Sequence, residues 1–168
     1  MQALYLFSVW LHILAATAWV GGIFFLVLVV VPWLRSGGTT QAGTFLRETG
    51  ERFRNVGWAC FAIVLVTGTF NLWVRGVRLA DFARPEWLSS PFGKTVLLKL
   101  GAFVLVLVVS AIHDFVVGPK ATAAITRDPR SPEAARFRRR ASLLGRLNAL
   151  LALVLVALAV MIVRGGAW

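Results

Sequence analysis

Apolar residues fall into four long runs, and polar and charged residues collect between them. The first, about Leu4 to Trp33, contains no Lys, Arg, Asp or Glu. The second runs from about Arg54 to Trp73, the third from about Phe92 to Val117 with Lys99 inside it, and the fourth from about Ala141 to Val163 with Arg146 near its start. About 20 residues at 1.5 Å each cross a hydrocarbon core of about 30 Å, so each run predicts one membrane-spanning helix. The first is longer than needed, which implies tilt, and it lacks the basic flank of a cleaved signal peptide. Residues 1–168 therefore read as one all-α domain, a four-helix transmembrane bundle. Ser36-Gly37-Gly38, Ser89-Ser90-Pro91 and Arg127-Asp128-Pro129 supply turn and cap signals, and Gly118-Pro119 predicts the end of the third helix. The stretch Thr44 to Phe53 suits either a surface helix or an inward extension of the second span.

Composition agrees: 58% of the 168 residues are hydrophobic, 15% are charged, and the mean hydropathy is +0.78. A soluble core of this size cannot hide so much apolar surface. Charge then sets an orientation. The 18 basic residues against 7 acidic ones gather in the first connection (Arg35, Arg47, Arg52, Arg54) and the third (Lys120, Arg127, Arg130, Arg136, Arg138, Arg139, Arg140). The middle one has Arg75, Arg78, Arg84 and Lys94, and nothing basic precedes the first span. By the positive-inside rule the first and third connections are cytoplasmic and both termini lie outside. The Arg136–Arg140 run reads as a topology anchor, and no nucleic-acid partner is expected. The single cysteine, Cys60, excludes an intramolecular disulfide and any CxxC motif, and it reads as buried and inert.

Ionisable groups within a span are costly and mark candidate sites. Helical rise from the span midpoints places His12, Lys99 and Asn71 about 9 Å, and Met161 about 10 Å, toward the outer face, one residue from each helix in one layer. A second layer, about 12 Å toward the cytoplasm, holds His113 and Arg146, with Asp114, Arg52, Arg54 and Lys120 nearby. Lys99 and His113 share a face of the third helix. His12 and His113 are about 21 Å apart along the axis, so if both are metal ligands there are two sites. Plainer readings stand beside these: hydrogen bonding across helices for both histidines and for Thr67 with Asn71, snorkelling for Lys99, and packing for Met161. With no acidic residue inside the spans, a carboxylate proton relay is not expected. No GxSxG or Walker motif is present, so no catalytic residue is assigned and an enzyme is not the leading expectation.

The segment from Leu11 to Gly22, with His12, then Trp19 and Gly21-Gly22, resembles the opening helix of the copper-resistance protein D (CopD) family. Lys99-Leu100 continuing to His113-Asp114-Phe115 and Gly118-Pro119-Lys120 resembles that family's third helix, and Thr67-Gly68 with Asn71-Leu72 fits its second. The resemblance implies copper transport or resistance in a bacterial plasma membrane. The family is also similar to the HemJ-type haem b oxidases, although Val20-Gly21-Gly22 replaces their Met-Ala-Gly.

Two cofactor readings follow, a copper ion or haem b. Cu(I) favours sulfur, which here means only Met1, Met161 and Cys60. A copper site built on His12 draws on Met161 or a deprotonated Lys99. Haem needs an axial ligand, such as His12 with Met161 or Lys99, or else His113 with Arg146 and Arg54 on its propionates. The functions to be weighed are copper handling, haem-based electron transfer or oxidation, and a structural subunit in a homo-oligomer or larger membrane complex.

Overall fold

The computed structural model describes the backbone of residues 1–35 and 42–165 and the side chains of residues 1–33 and 48–165. Ser36-Gly37-Gly38 lie outside the described residues. Helix α1 (Gln2–Phe25) passes through a π-helical turn (Leu26–Val30) into α2 (Val31–Arg35). Helix α3 (Ala42–Val74) is continuous. A 3-10 turn (Leu79–Ala83) and α4 (Pro85–Ser89) lead to α5 (Pro91–Ala111). A second π-helical segment (Ile112–Val117) then joins α6 (Gly118–Arg127), and α7 (Pro132–Val163) completes the chain. Among the described residues, four helical stretches are long and apolar enough to cross a membrane: Gln2–Trp33, Glu48–Val74, Pro91–Arg127 and Pro132–Val163.

Helix ends follow local chemistry. At the end of α3, Gly76 adopts φ +86°, which lets Val77 N–H reach Leu72 O and Gly76 N–H reach Trp73 O. This is the closing pattern that glycine makes cheap. Ser90 caps α5 by accepting from Gly93 N, and Ser131 caps α7 by accepting from Ala134 N. The segment Thr44–Phe53 proves to be part of α3 rather than a separate surface helix.

The expected break at Gly118-Pro119 does not occur, because the helix absorbs the proline. Proline lacks an N–H and crowds the preceding turn, and the π-helical stretch widens the ladder just before it. Gly118 N–H donates to His113 O, and a Cβ at Gly118 would sit 3.0 Å from that oxygen. The first span repeats the device, with its π-turn directly before Val31-Pro32.

The first span packs along the second, the third along the fourth, and the first also touches the fourth. Their common core is Ala15, Trp19, Ile23, Cys60, Phe61, Val106, Ala149 and Ala152. Between the second and third spans aromatic rings fill the space: Phe61 lies 6.0 Å from Phe103, and Trp58 5.6 Å from Phe115. Small residues allow close approach elsewhere; a Cβ on Gly22 would collide with the Phe53 ring. The third and fourth spans run past the core into a helical hairpin, whose own cluster is Ala121, Ala124, Ala134 and Phe137. The arginine-rich run is thus helical, with Arg136 and Arg140 over the Phe137 ring.

Candidate functional site

The first and second spans run antiparallel, and their side-chain contacts fix the register. Trp19 meets Phe61 with ring centroids 5.0 Å apart and sits against Gly57. Two turns nearer the N-terminus, His12 lies against Thr67 and Gly68. His12 Nδ1 is 2.8 Å from Thr67 Oγ1, and Thr67 Oγ1 is 2.6 Å from the Ile63 carbonyl. A hydroxyl has one proton, and a carbonyl can only accept. Thr67 therefore donates to Ile63 O and accepts from His12 Nδ1–H. This network assigns a neutral His12 to the Nδ1–H tautomer, with its lone pair on Nε2. An imidazole held through one nitrogen and offering the other is the arrangement of a metal-ligating histidine. Gly68 makes room for it, since a Cβ there would stand 3.2 Å from His12 Cε1.

The expected layer around His12 forms in part. Lys99 is half-buried. Among the described residues no carboxylate pairs with Lys99. Asn71 is on the same face of α3 one turn beyond Thr67, and its Oδ1 is buried with no hydrogen-bond partner; Ser8 Oγ, one turn before His12, is in the same state. Met161 is half-buried in the last turns of α7, and no described contact joins it to His12.

The second layer is centred on Asp114. His113 Nδ1–H donates to Asp114 Oδ1 at 2.9 Å, and Trp58 Nε1–H donates to Asp114 Oδ2 at 3.0 Å. The Arg54 guanidinium lies 5.9 Å from the Phe115 ring centre. This corrects the expectation of acid-free spans: Asp114 lies inside the third apolar helix, which continues to Arg127, with both carboxylate oxygens occupied. Arg146 is elsewhere, exposed in a shallow groove with Phe24, Val27, Ala149, Leu150 and Leu153. The structure therefore sets Arg54 against Phe115 and Arg146 against the first span. Trp58 and Thr67, the partners of the two layers, are nine positions apart on α3, about 14 Å along the axis. Trp19, Cys60 and Phe61 fill the space between them.

A third polar contact ties the helix pair on the other side: Asn148 Nδ2 donates to Ser110 Oγ at 2.9 Å, both residues buried. Sequence reasoning did not single out Ser8, Trp58, Ser110 or Asn148. Ser8 was recoverable, because it shares the heptad-spaced face of Ala15 with His12 and Trp19. Among the described residues no three His, Cys, Asp or Glu side chains converge as a metal cluster.

Four apolar helices that turn their few polar side chains toward one another define a polytopic integral membrane protein with intramembrane polar layers. The sequence profile of the copper resistance protein D family matches residues 47–162, and the chain belongs to that family. The match covers the second to fourth spans and leaves out His12. Over 166 residues, 98% of this chain and 97% of the relative, it is 33% identical to an uncharacterized protein of Aquifex aeolicus (strain VF5). It is also 31% identical over 117 residues to the copper transport protein CutJ of Bacillus subtilis (strain 168), a match that covers 70% of this chain and 20% of CutJ. No solved structure matches the chain.

Proposed function

We propose that this protein passes copper through the membrane at a weak site whose protein donor is His12 Nε2. The observation that carries the reading is the Ile63–Thr67–His12 hydrogen-bond chain, which presents Nε2 as a lone-pair donor inside an apolar bundle. Family membership supplies the metal, and the copper transport protein CutJ is similar over 117 residues.

The rest of the layer suits transit better than storage. Soft donors are few: Cys60 is buried in the apolar core, and Met161 has no described contact with His12. A positive side chain buried in the same bundle repels a bound copper ion. Lys99, with no carboxylate partner among the described residues, acts in that direction. Binding weak enough to release is what conduction requires. Copper is the substrate here, held by one imidazole and completed by oxygen donors or water. His113, oriented by Asp114, is the second stopping point on this reading, beyond the aromatic core.

The orientation that fits has both termini outside and the arginine-rich hairpin in the cytoplasm of a bacterial plasma membrane. Copper accumulation by cells expressing the chain tests the reading: it is expected to exceed that of cells with His12→Ala at equal protein level. Equal accumulation overturns it. A haem b reading makes a different prediction, a red purified protein with a Soret band bleached by His12→Ala.

A further inference from the structure

Among the described residues, the buried polar atoms without partners lie on one side of His12 or on the far helix pair. Ser8 is 7% exposed, yet its Oγ has no hydrogen-bond partner, and neither has the buried Oδ1 of Asn71. A buried unpaired polar atom is expensive, and in folded proteins water ordinarily fills the role. The helix register places these two together. His12 faces Thr67, so Ser8, four residues earlier, faces Asn71, four residues later on the antiparallel partner. One turn further out, Tyr5 and Val74 line an open groove of about 410 Å³ with Met1, Gln2, Trp73 and Arg78. One turn further in, below His12, Ala15, Trp19 and Phe61 close the path.

We propose that the N-terminal end of the bundle holds a water-filled vestibule, entered at the Tyr5–Arg78 groove, lined by Ser8 and Asn71 and floored by His12. Its ligands are water and small hydrophilic ions, and Ser8 Oγ and Asn71 Oδ1 are the oxygen donors that accompany an ion to His12. The inference deepens the copper reading by giving its route of access, and it makes His12 open to one face of the membrane only.

Thiol labelling tests it without copper, so its failure is separate from failure of the copper reading. In a background with Cys60→Ala, single cysteines are introduced as Ser8→Cys, Asn71→Cys and Ala15→Cys, and as Leu14→Cys on the exposed surface. They are exposed in vesicles of either orientation to a charged, membrane-impermeant methanethiosulfonate, which reacts only with hydrated thiolates. Ser8→Cys and Asn71→Cys are expected to react at least tenfold faster than Ala15→Cys and Leu14→Cys, from the face bearing the N-terminus. A rate at Ser8→Cys no greater than at Ala15→Cys, or reaction only from the opposite face, overturns the proposal. A second readout uses the wild-type protein: brief radiolysis of water in the sample oxidises side chains in contact with that water. His12 is expected to be oxidised and Trp19 spared. Protection of His12 equal to that of Trp19 overturns the vestibule.

Discussion

His12 of the first span and Thr67 of the second share one hydrogen bond of 2.8 Å, and its direction is set by a third group, the Ile63 carbonyl 2.6 Å from the same hydroxyl. The bond joins two helices and also decides which histidine nitrogen is available.

Removing the acceptor separates those two roles. Thr67→Val keeps the shape of the side chain and removes the hydroxyl that accepts from His12 Nδ1–H. A group that holds the far nitrogen of a metal-ligating histidine is worth roughly 10–100-fold in metal affinity, and an interhelical hydrogen bond in a bilayer about 0.6–1.7 kcal/mol. Copper titration of purified Thr67→Val is expected to show a loss of at least tenfold, while Thr67→Ser stays near wild type. Equal affinity in both variants would show that Thr67 only holds helices together.

Gly68 tests the fit of the same ring. A Cβ there would stand 3.2 Å from His12 Cε1, whereas one on Gly101 meets nothing within 4 Å. Gly68→Ala is expected to weaken copper binding and lower the melting temperature, with Gly101→Ala close to wild type in both. The comparison controls for helix propensity, which alanine improves at either site.

Lys99 sets the strength of binding in this account. Lys99→Gln removes the positive charge from the bundle, and copper affinity is expected to rise several-fold. A fall in affinity on isothermal titration would make Lys99 a ligand instead.

Gly118 controls the second layer from a distance. An alanine Cβ there would press within 3.0 Å of His113 O, so Gly118→Ala is expected to disturb the π-turn and pull Asp114 away from Trp58. Tryptophan fluorescence reads this directly: Gly118→Ala and Asp114→Ala should shift the emission alike. A Gly118→Ala spectrum matching wild type would refute the link between the π-turn and the Trp58–Asp114 bond.

The four spans were legible because a membrane imposes a length and a polarity that hydropathy reads directly. Family membership was legible from spaced residues such as Lys99, His113 and Gly118. The end of the third helix was not, because a proline breaks a helix only if the ladder before it cannot widen, and that depends on the backbone at 112–117. Depth bookkeeping placed His12, Asn71 and Lys99 together, since axial distance follows from residue count. It grouped His113 with Arg146 as well, because depth says nothing of direction around the bundle. Arg146 lines a groove with the first span, and Arg54 stands over Phe115. Asp114 lies within the third run as read from the sequence, so its place in the span was legible; its partner Trp58, on another helix, was not.

The most direct test of the account is copper bound by the purified protein, measured by elemental analysis after equilibrium dialysis alongside its absorption spectrum. The account predicts a colourless protein that binds copper weakly and reversibly, with binding reduced at least tenfold by His12→Ala and retained by Met161→Leu. Copper binding unchanged by His12→Ala, or a purified protein carrying a Soret band, would contradict it.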